Sequence, residues 1–534
     1  MTSPKTRIVK DDARALYVLG LKEKAEGRLE RAIECLDAAL AVQPDFPEAL
    51  CSGGYILQTA GHYDGALAFY GRAIELEPDY FDALFNRGCL HFALKRLEPA
   101  VADFLRAAAL QPADAGAQSN LGAALYESGR LEEAIVALQT ALRLEPGLIE
   151  AELNLGSALR RLGREDEAGE AFMRAALLKP DCAEAYCGLG IVARSKGDFK
   201  QAMDYYDCAL VFDPALEEAL SSRGALQLLL GEFEAGWEGY EHRWIDGHRP
   251  IPVCEAHFDL ARPETITGKK VLVVNDHGLG DTIQFFRYVM LLADHGADVT
   301  FAGPARMRRL LASSGANVAW RETNDFSGAF DATIAISSLP RAFSTVETTI
   351  PATVPYLFAE PDKVNFWRAR MAGSGLKVGL CWRGSQDFRV DPRRSIPPAA
   401  LGALAVLPGV ALYALHMDVG PGELPAELAG CVHVFGDDFD RGPDAFVDTA
   451  AVMQNLDLII TCDTSIAHLA GALGRPVVVA LRHVAEWRWM LERDDSPWYP
   501  TMQLRRAGAG DDWFELFNRI AADIAEQTQE KEKD

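Results

Sequence analysis

Three polar residues follow an apolar run in the last third of the chain. The run at 456–461 has the length of a buried strand, and Asp463, Thr464 and Ser465 come just after it. Their side-chain oxygens can accept the free N–H groups of a helix predicted at 465–473. A strand, a polar turn and a helix N-terminus can bind the phosphate or sugar of a nucleotide sugar. The same pattern also suits an ordinary helix cap.

A second candidate site follows the apolar strand predicted at 271–276 and precedes a helix predicted at 282–294. Asp281 lies in this turn, where a carboxylate can remove the proton of an attacking acceptor hydroxyl. His277 is an alternative base in the same turn. Asp281 can instead cap the helix, since both roles need the same position. The turn also contains two glycines, Gly278 and Gly280.

A phosphate bound at such a turn carries charge that a nearby cation would stabilise. Arg383 follows a strand predicted at 377–382 and is placed to reach such a phosphate. Arg393, Arg394 and Ser395 lie in the next loop and can do the same. Alternatively, these arginines form surface ion pairs, because the chain is acidic overall.

His468 lies three residues after Ser465, where it can contact a nucleotide or pack beneath the turn. Trp487 and Trp489 can stack on a base or fill the core. No Asp-x-Asp motif is placed at a strand end, and the acidic run at 437–440 lies in a predicted loop. The ten cysteines form no C-x-x-C pairs. We therefore expect no metal, and no cofactor other than the donor nucleotide.

The first half of the chain repeats every 34 residues. Small residues at fixed positions allow two helices to approach closely, and proline ends the second helix of each pair. Six repeats occupy 13–216, and a divergent seventh, with Gly236 in place of alanine, extends to 244. The repeated glycines are Gly20, Gly54, Gly88, Gly122, Gly156, Gly190 and Gly224.

This period resembles that of tetratricopeptide (TPR) repeats, which predicts an all-α superhelix with a concave groove. One position facing that groove holds Asn86, Asn120 and Asn154 in three successive repeats. Such a ladder can bond to the backbone of an extended peptide. Alternatively, asparagine is only tolerated on an exposed helix face. A similar ladder lines the groove of O-linked N-acetylglucosamine transferase, which the array resembles.

From residue 269 onward, two successive sets of strands and helices predict two doubly wound α/β domains. This arrangement resembles GT-B glycosyltransferases. The turn ending at Asp281 is similar to the Gly-Asp loop of the heptosyltransferase-like family, whose base it would match. The turn at Asp463 with His468 is similar to that family's Asp-Thr-Gly-x-x-His motif, with Ser465 in place of glycine. The resemblance implies an inverting, metal-independent enzyme.

The runs at 350–357 and 498–501 look like those of bacterial proteins that fuse TPR repeats to such a domain. Among these fusions are flagellin O-glycosyltransferases, which transfer nonulosonic (sialic-acid-like) sugars. The resemblance therefore implies a transferase that glycosylates Ser or Thr of a protein held by the TPR groove, with flagellin as the suggested acceptor. The alternatives are a non-catalytic TPR scaffold with a degenerate transferase domain, or a glycan or lipid transferase. A CMP-, UDP- or ADP-linked donor is compatible with these motifs.

The composition limits the partners of the 534-residue chain. Its net charge of −24 argues against nucleic acid as the main ligand. No apolar run reaches the length of a membrane span, and the first residues lack a signal-peptide core, so we expect a cytoplasmic protein. The expected segments are a lead at 1–12, the TPR array at 13–244, a connector at 245–268, an acceptor-side domain at 269–372, a nucleotide-sugar domain at 373–522 and a polar tail at 523–534.

Overall fold

The chain divides into two compact units, of which the first ends at Val192 and the second begins at Ala193. Most of the predicted connector, from 245 to 264, lies outside the described residues. The computed structural model describes residues 4–244, 265–371, 373, 375–384, 392–417, 419, 423–436, 438–508 and 510–531.

The first unit is entirely helical, with two helices per repeat, as the 34-residue period predicts. The first helix begins at Pro4, inside the predicted lead segment, and α11 crosses the boundary between the units. The helices are α1 (Pro4–Ala25), α2 (Leu29–Val42), α3 (Pro47–Thr59), α4 (Tyr63–Leu76), α5 (Phe81–Ala93), α6 (Leu97–Leu110), α7 (Ala115–Glu127), α8 (Leu131–Leu144), α9 (Ile149–Arg161), α10 (Glu165–Leu178) and α11 (Ala183–Ser195).

The repeated glycines lie where the two helices of a repeat cross. A Cβ atom at Gly54 would lie 2.8 Å from the ring of Tyr70, and one at Gly122 would lie 2.5 Å from Leu138. The large side chains are almost completely buried in these contacts. The turns between paired helices hold glycine at positive φ, except that Lys95 occupies this position with φ 56°.

Three more helices of the repeat type begin the second unit: α12 (Phe199–Phe212), α13 (Glu217–Leu229) and α14 (Phe233–Tyr240). A Cβ at Gly224 would lie 2.6 Å from the carbonyl carbon of Gly239, so the backbones of α13 and α14 nearly touch. The indole of Trp237 donates a 2.8 Å hydrogen bond to the carbonyl of Thr345. The divergent seventh repeat is therefore anchored to the α/β part of its own unit.

The first set of strands forms a four-stranded parallel sheet in the order β3-β2-β1-β4. Its first crossover helix, α15, packs on the sheet with a nearly all-buried face, which agrees with the predicted α/β class. The elements are β1 (Lys270–Val274), α15 (Leu279–Asp294), β2 (Asp298–Ala302), α16 (Arg308–Ala312), β3 (Val318–Arg321), β4 (Ala332–Ala335), α17 (Leu339–Ala342) and α18 (Pro361–Arg368).

The second set forms a six-stranded parallel sheet in the order β10-β9-β8-β5-β6-β7. Apolar residues of β5, β8 and the long helix α23 share one core cluster. The elements are β5 (Leu376–Cys381), α19 (Gly402–Ala405), β6 (Val410–Ala414), α20 (Ala426–Ala429), β7 (Val432–His433), α21 (Val447–Met453), β8 (Leu458–Thr461), α22 (Ser465–Ala472), β9 (Val477–Leu481), β10 (Met502–Arg506) and α23 (Trp513–Lys531).

Two helices occupy segments where no helix is predicted from the sequence. The first is α18, near the end of the predicted acceptor-side domain, whose Trp367 is buried and donates a 2.7 Å hydrogen bond to Asp448 in α21. The expected polar tail from 523 continues α23 as far as Lys531. In both cases, buried apolar side chains stabilise a helix whose sequence is largely polar.

Candidate functional site

Asp281 lies in the first turn of α15, just beyond the carboxyl end of β1. The helix begins at Leu279, three residues before the predicted start, and its N-cap Gly278 has no side chain to cap it. Asp281 Oδ1 instead accepts a 2.7 Å hydrogen bond from Nη2 of Arg488. The Asp281 carboxylate is therefore part of an ion pair, not a helix cap.

Arg488, which the sequence analysis did not single out, lies in a short 3-10 helix, Trp487–Trp489, that follows β9. Its guanidinium carbon is 5.1 Å from the centre of the Trp487 ring. Burial disfavours the charge of Arg488, but the carboxylates of Asp281 and Asp463 outweigh burial, and the pKa of Arg488 is raised. In the sequence, the only indication that Arg488 belongs to the site is its place between two tryptophans.

The turn after β8 has the predicted geometry. Thr464 is the N-cap of α22, and its hydroxyl accepts a 3.3 Å hydrogen bond from the N–H of Ile466. Asp463 is buried beside this cap, and burial raises its pKa, while the charges of Arg488 and Arg394 act in the opposite direction. The prediction of a capped helix start is confirmed.

The two predicted turns lie against each other in the second unit. A Cβ atom at Gly280 would lie 3.0 Å from Cδ2 of His468 and 3.3 Å from Cα of Ser465. A side chain at position 280 would therefore crowd His468 and Ser465, and glycine suits this close approach of α15 and α22. Gly278, next to it, lies in an extended conformation before the helix, with φ −67°.

His468 packs beneath the turn, which is one of its two predicted roles. It is 2% exposed, its Nδ1 is 3.1 Å from the hydroxyl of Tyr499, and its ring stacks on Trp489 at 5.5 Å. Burial, followed by the charges of Arg488 and Arg287, holds the pKa of His468 well below its ordinary value. The imidazole is therefore uncharged at neutral pH. Trp487 and Trp489 are also buried, as the core-packing alternative predicted.

The four predicted cation-loop residues differ in their surroundings. The guanidinium of Arg383 is bonded to both carboxylate oxygens of Glu423, at 2.6 and 3.2 Å. Arg383 thus matches the ion-pair alternative and has its charge neutralised. Arg394 lies at the Thr464 turn, because a Cβ at Gly384 would be 2.9 Å from Arg394 Nη2 and 3.2 Å from Thr464 Cγ2.

Arg393 and Ser395 flank Arg394 and are half-buried. No carboxylate of the described residues lies within 4.0 Å of the Arg394 guanidinium, although its charge acts on buried Asp463, whereas Arg383 is paired with Glu423. The structure therefore favours Arg394 over Arg383 as the cation beside the Asp463 turn.

His277 is held by a carboxylate that the sequence analysis did not select as a site residue. Its Nδ1 is 3.2 Å from Oδ2 of Asp276, whose side chain is completely buried. Asp276 also accepts a 2.9 Å hydrogen bond from Arg243 and bonds from Ser337. The Nε2 atom of His277 is 3.4 Å from the hydroxyl of Tyr240.

The charges around His277 set its protonation. Burial opposes the charged imidazole, but the hydrogen bond to Asp276 and the charges of Asp276 and Asp281 outweigh it, so the pKa of His277 is raised. Burial likewise opposes ionisation of Asp276, but His277 and Arg243 outweigh it, and its pKa is lowered. A protonated His277 is a hydrogen-bond donor and a cation, which suits it less to the role of a base.

The runs at 350–357 and 498–501 are joined by one buried arginine. Arg287 Nη1 donates 2.8 Å hydrogen bonds to the carbonyls of Pro351 and Trp498. The hydroxyl of Tyr356 is 3.2 Å from Nη2 of the same guanidinium. Both runs are therefore hydrogen-bonded to α15, because Arg287 lies on that helix.

In the first unit, Asn86, Asn120 and Asn154 are all half-buried. The side-chain amides of Asn86 and Asn120 lie 3.8 and 3.6 Å from the sulfurs of Cys51 and Cys89 in the preceding repeats. In these two repeats the amide nitrogen thus faces a sulfur of the neighbouring repeat. Among the described residues, no group of three or more His, Cys, Asp or Glu side chains is placed to hold a metal ion. Nor does any described helix have the length and apolar character needed to cross a bilayer.

Family comparisons match the first part of the chain. Residues 147–215 match a tetratricopeptide repeat model, 54–95 and 122–163 match a TPR repeat model, and 13–46 and 81–114 match a further tetratricopeptide repeat model. The N-terminal half therefore consists of TPR repeats, as the 34-residue period predicted. Repeats of this type present extended surfaces to other proteins, which indicates a protein–protein interaction.

Among individual proteins, the chain is 26% identical over 313 residues to Protein FlbA of Caulobacter vibrioides, across 54% of this chain and 51% of that protein. The chain thus spans about half the length of the curated relative that it matches.

Solved structures also resemble part of the chain. MamA 41-end from Desulfovibrio magneticus RS-1 is 27% identical, with 32% of this chain and 96% of that chain covered and a TM-score of 0.31. YrrB, titled a TPR protein with an unusual peptide-binding site, is 23% identical, with coverage of 35% and 97% and a TM-score of 0.32. A tetratricopeptide repeat protein from Parabacteroides merdae is 19% identical, with coverage of 45% and 95% and a TM-score of 0.39.

Proposed function

We propose that the second unit is a glycosyltransferase of the GT-B type and that it moves a sugar from a nucleotide-sugar donor to Ser or Thr of a protein. The carrying observation is the close approach of the Asp281 and Asp463 turns. Each turn follows a strand of a parallel sheet, where α/β proteins bind their ligands. One turn supplies a candidate base and the other a helix N-terminus.

The leaving group finds suitable partners at the second turn. The N-terminus of α22 presents the positive end of a helix dipole. Arg394 lies beside Thr464 at this same position. A phosphate bound here would lie near Gly280, and the acceptor hydroxyl would lie on the Asp281 side. This arrangement supports a transfer in which Asp281 takes the hydroxyl proton as the bond between the sugar and the phosphate breaks.

The acceptor is proposed to be a protein that the TPR repeats bind. The half-buried Asn86, Asn120 and Asn154 have side-chain oxygens that can accept hydrogen bonds from the backbone of an extended segment. Flagellin as the acceptor and a nonulosonic sugar as the donor group complete the proposal. Both rest on the resemblance to fused TPR transferases described above.

Nucleotide binding tests the transferase assignment. The thermal stability of the full chain is measured with CMP, UDP, GDP and ADP in turn, because a ligand that binds only the folded state raises stability in proportion to RT ln(1 + [L]/Kd). We expect one nucleotide to raise the melting temperature selectively. A CMP shift supports a sialic-acid-like donor, a UDP shift an N-acetylhexosamine donor, and an ADP shift a heptose donor.

The rival function is a non-catalytic TPR scaffold with a degenerate transferase domain. The ion pair that occupies Asp281 favours it, because a carboxylate bonded to arginine also serves a purely structural role. The same experiment separates the two functions. If no nucleotide shifts the melting temperature at millimolar concentration, the transferase proposal fails and the scaffold remains. Addition of a sugar to a glycan acceptor, without addition of a sugar to a protein, would favour a glycan transferase.

A further inference from the structure

The ion pair between Arg488 and Asp281 joins the turn after β1 to the segment after β9. The two side chains are 207 positions apart in sequence and their charged atoms are 2.7 Å apart. Arg488 is 13% exposed and Asp281 is 17% exposed, so the pair is shielded but remains at the edge of solvent. The charge of Asp463 also acts on Arg488. The guanidinium of Arg488 therefore forms an ion pair with Asp281 and is also attracted by the charge of Asp463.

The bonding capacity of this guanidinium is not filled. Its Nε atom is buried and has no hydrogen-bond partner among the described residues. A guanidinium offers five N–H donors, and a phosphate can accept two of them side by side. The ring of Trp487 supports the guanidinium, with 5.1 Å between the two. An anion that replaced Asp281 beside this guanidinium would thus find a donor that Trp487 supports and that still lacks an acceptor.

The ion pair also limits Asp281. While Oδ1 accepts a bond from Arg488, the charge of the carboxylate is balanced and one of its oxygens is occupied. A base that acts on an acceptor hydroxyl needs a free oxygen within hydrogen-bond distance. An anion of higher charge that bound Arg488 would release Oδ1 and leave the whole carboxylate to act as that base.

We propose that Arg488 binds the donor phosphate and that it exchanges Asp281 for this phosphate when the donor binds. This inference rests on the proposed function. In the free enzyme the guanidinium holds Asp281. Once the phosphate takes the guanidinium, Asp281 accepts the proton of the acceptor hydroxyl, a bond forms between that oxygen and the sugar carbon, and the bond from the sugar to the phosphate breaks. The donor consequently binds before the acceptor reacts.

A competition of this kind has a distinctive thermodynamic signature. If Asp281 and phosphate compete for Arg488, removal of the Asp281 charge must strengthen nucleotide binding, although the same change abolishes transfer. A structural ion pair predicts the reverse, because its loss loosens the site. Arg488→Gln should weaken nucleotide binding, and the double variant should match Arg488→Gln, since the two residues then share one interaction.

The test measures the dissociation constants of CMP, UDP, GDP and ADP for the full chain and four variants. Relative to the wild type, we expect Asp281→Asn to bind the preferred nucleotide about threefold to tenfold more tightly, and Arg488→Gln about tenfold or more weakly. The control is Arg505→Gln, which breaks the 3.2 Å ion pair of Arg505 with Asp523 on β10 and α23 and should leave binding unchanged.

Each outcome bears on one proposal. If the wild type binds none of the nucleotides, the proposed function itself fails. If the wild type binds one of them but Asp281→Asn binds it equally or more weakly, the exchange is refuted and the transferase proposal stands. Unchanged binding by Arg488→Gln also refutes the exchange. Should Arg488→Gln fail to fold, Asp281→Asn alone still decides, because tighter binding is expected only from competition.

Discussion

Gly280 and His468 face each other between two helices that start at different sheets, and a Cβ atom at Gly280 would lie only 3.0 Å from Cδ2 of His468. The imidazole cannot retreat easily, because it is 2% exposed and stacked on Trp489. This contact fixes the distance between the two turns of the candidate site. The geometry of the candidate site therefore depends on a residue that has no side chain.

Gly280→Ala should separate the two turns by a few tenths of an ångström. We expect transfer to fall about tenfold, because small displacements of reacting groups are costly, while the protein still folds. The measurement is kcat with a fixed donor, together with the melting temperature. Gly402→Ala is the control, since a Cβ at Gly402 meets no atom within 4 Å. Unchanged transfer in Gly280→Ala would show that the contact does not position the site.

Arg394 and Arg383 make opposite predictions for nucleotide binding. Arg394 is available beside Thr464, whereas Arg383 is paired with Glu423. Arg394→Gln should weaken the preferred nucleotide about tenfold, the expected loss of one charge-assisted contact. Arg383→Lys should change it little if the ion pair is retained. Isothermal titration of both variants decides, and the reverse order would return the phosphate role to Arg383.

The raised pKa of His277 predicts a pH-dependent stability. The contribution of its charged form is fully present below the unfolded-state pKa of about 6.5 and is lost as the pH rises through the higher folded-state pKa. Because the pKa of Asp276 is lowered, its charged form stabilises the folded state at every pH above its unfolded-state pKa. This contribution to stability therefore stays constant from pH 5.5 to 9. His277→Gln should therefore cost more stability at pH 5.5 than at pH 9.

Chemical unfolding at the two pH values measures this difference. Asp276→Asn provides the control, because it leaves an imidazole without its carboxylate and should remove most of the pH dependence that His277 causes. A cost of His277→Gln that is equal at both pH values would show that His277 is not charged preferentially in the folded state.

Lys95 stands where the other described turns between paired helices have glycine, and its φ of 56° is unfavourable for a residue with a side chain. Lys95→Gly should relieve about 1 kcal/mol of backbone strain in the first unit. Part of this gain is offset because glycine gives the unfolded chain more conformational entropy. The melting temperature measures the gain. Gly129→Ala, at the equivalent turn with φ 81°, should lower it. A lower melting temperature for Lys95→Gly would contradict the prediction.

Local patterns accounted for much of the fold. The 34-residue period placed the helix pairs and their turns, because small residues and proline act within one repeat. The segment β8–α22 was predicted within about two residues, since an apolar run and a cap are both local signals. β10 was missed because its polar residues interrupt the apolar run, and the two-residue β7 is too short to show a pattern.

The candidate site was predicted less completely. The early start of α15 was missed because Gly278 offers no side-chain cap. The pairing of Arg488 with Asp281 spans 207 positions, and no local signal reports contacts at that separation. The bond of Arg383 to Glu423 was left as an alternative for the same reason. Residue types thus indicated the chemistry, whereas charge partners depended on the tertiary structure.

The most direct test of the account is the intact mass of flagellin after incubation with the full chain and a cell extract that supplies nucleotide sugars. The account predicts a mass increase by whole sugar units on Ser or Thr with the wild type. It predicts none with Asp281→Asn, which removes the base but keeps nucleotide binding. An equal increase with Asp281→Asn would refute Asp281 as the base. No increase with the wild type, although flagellin binds, would contradict the central claim of glycosyl transfer to this protein.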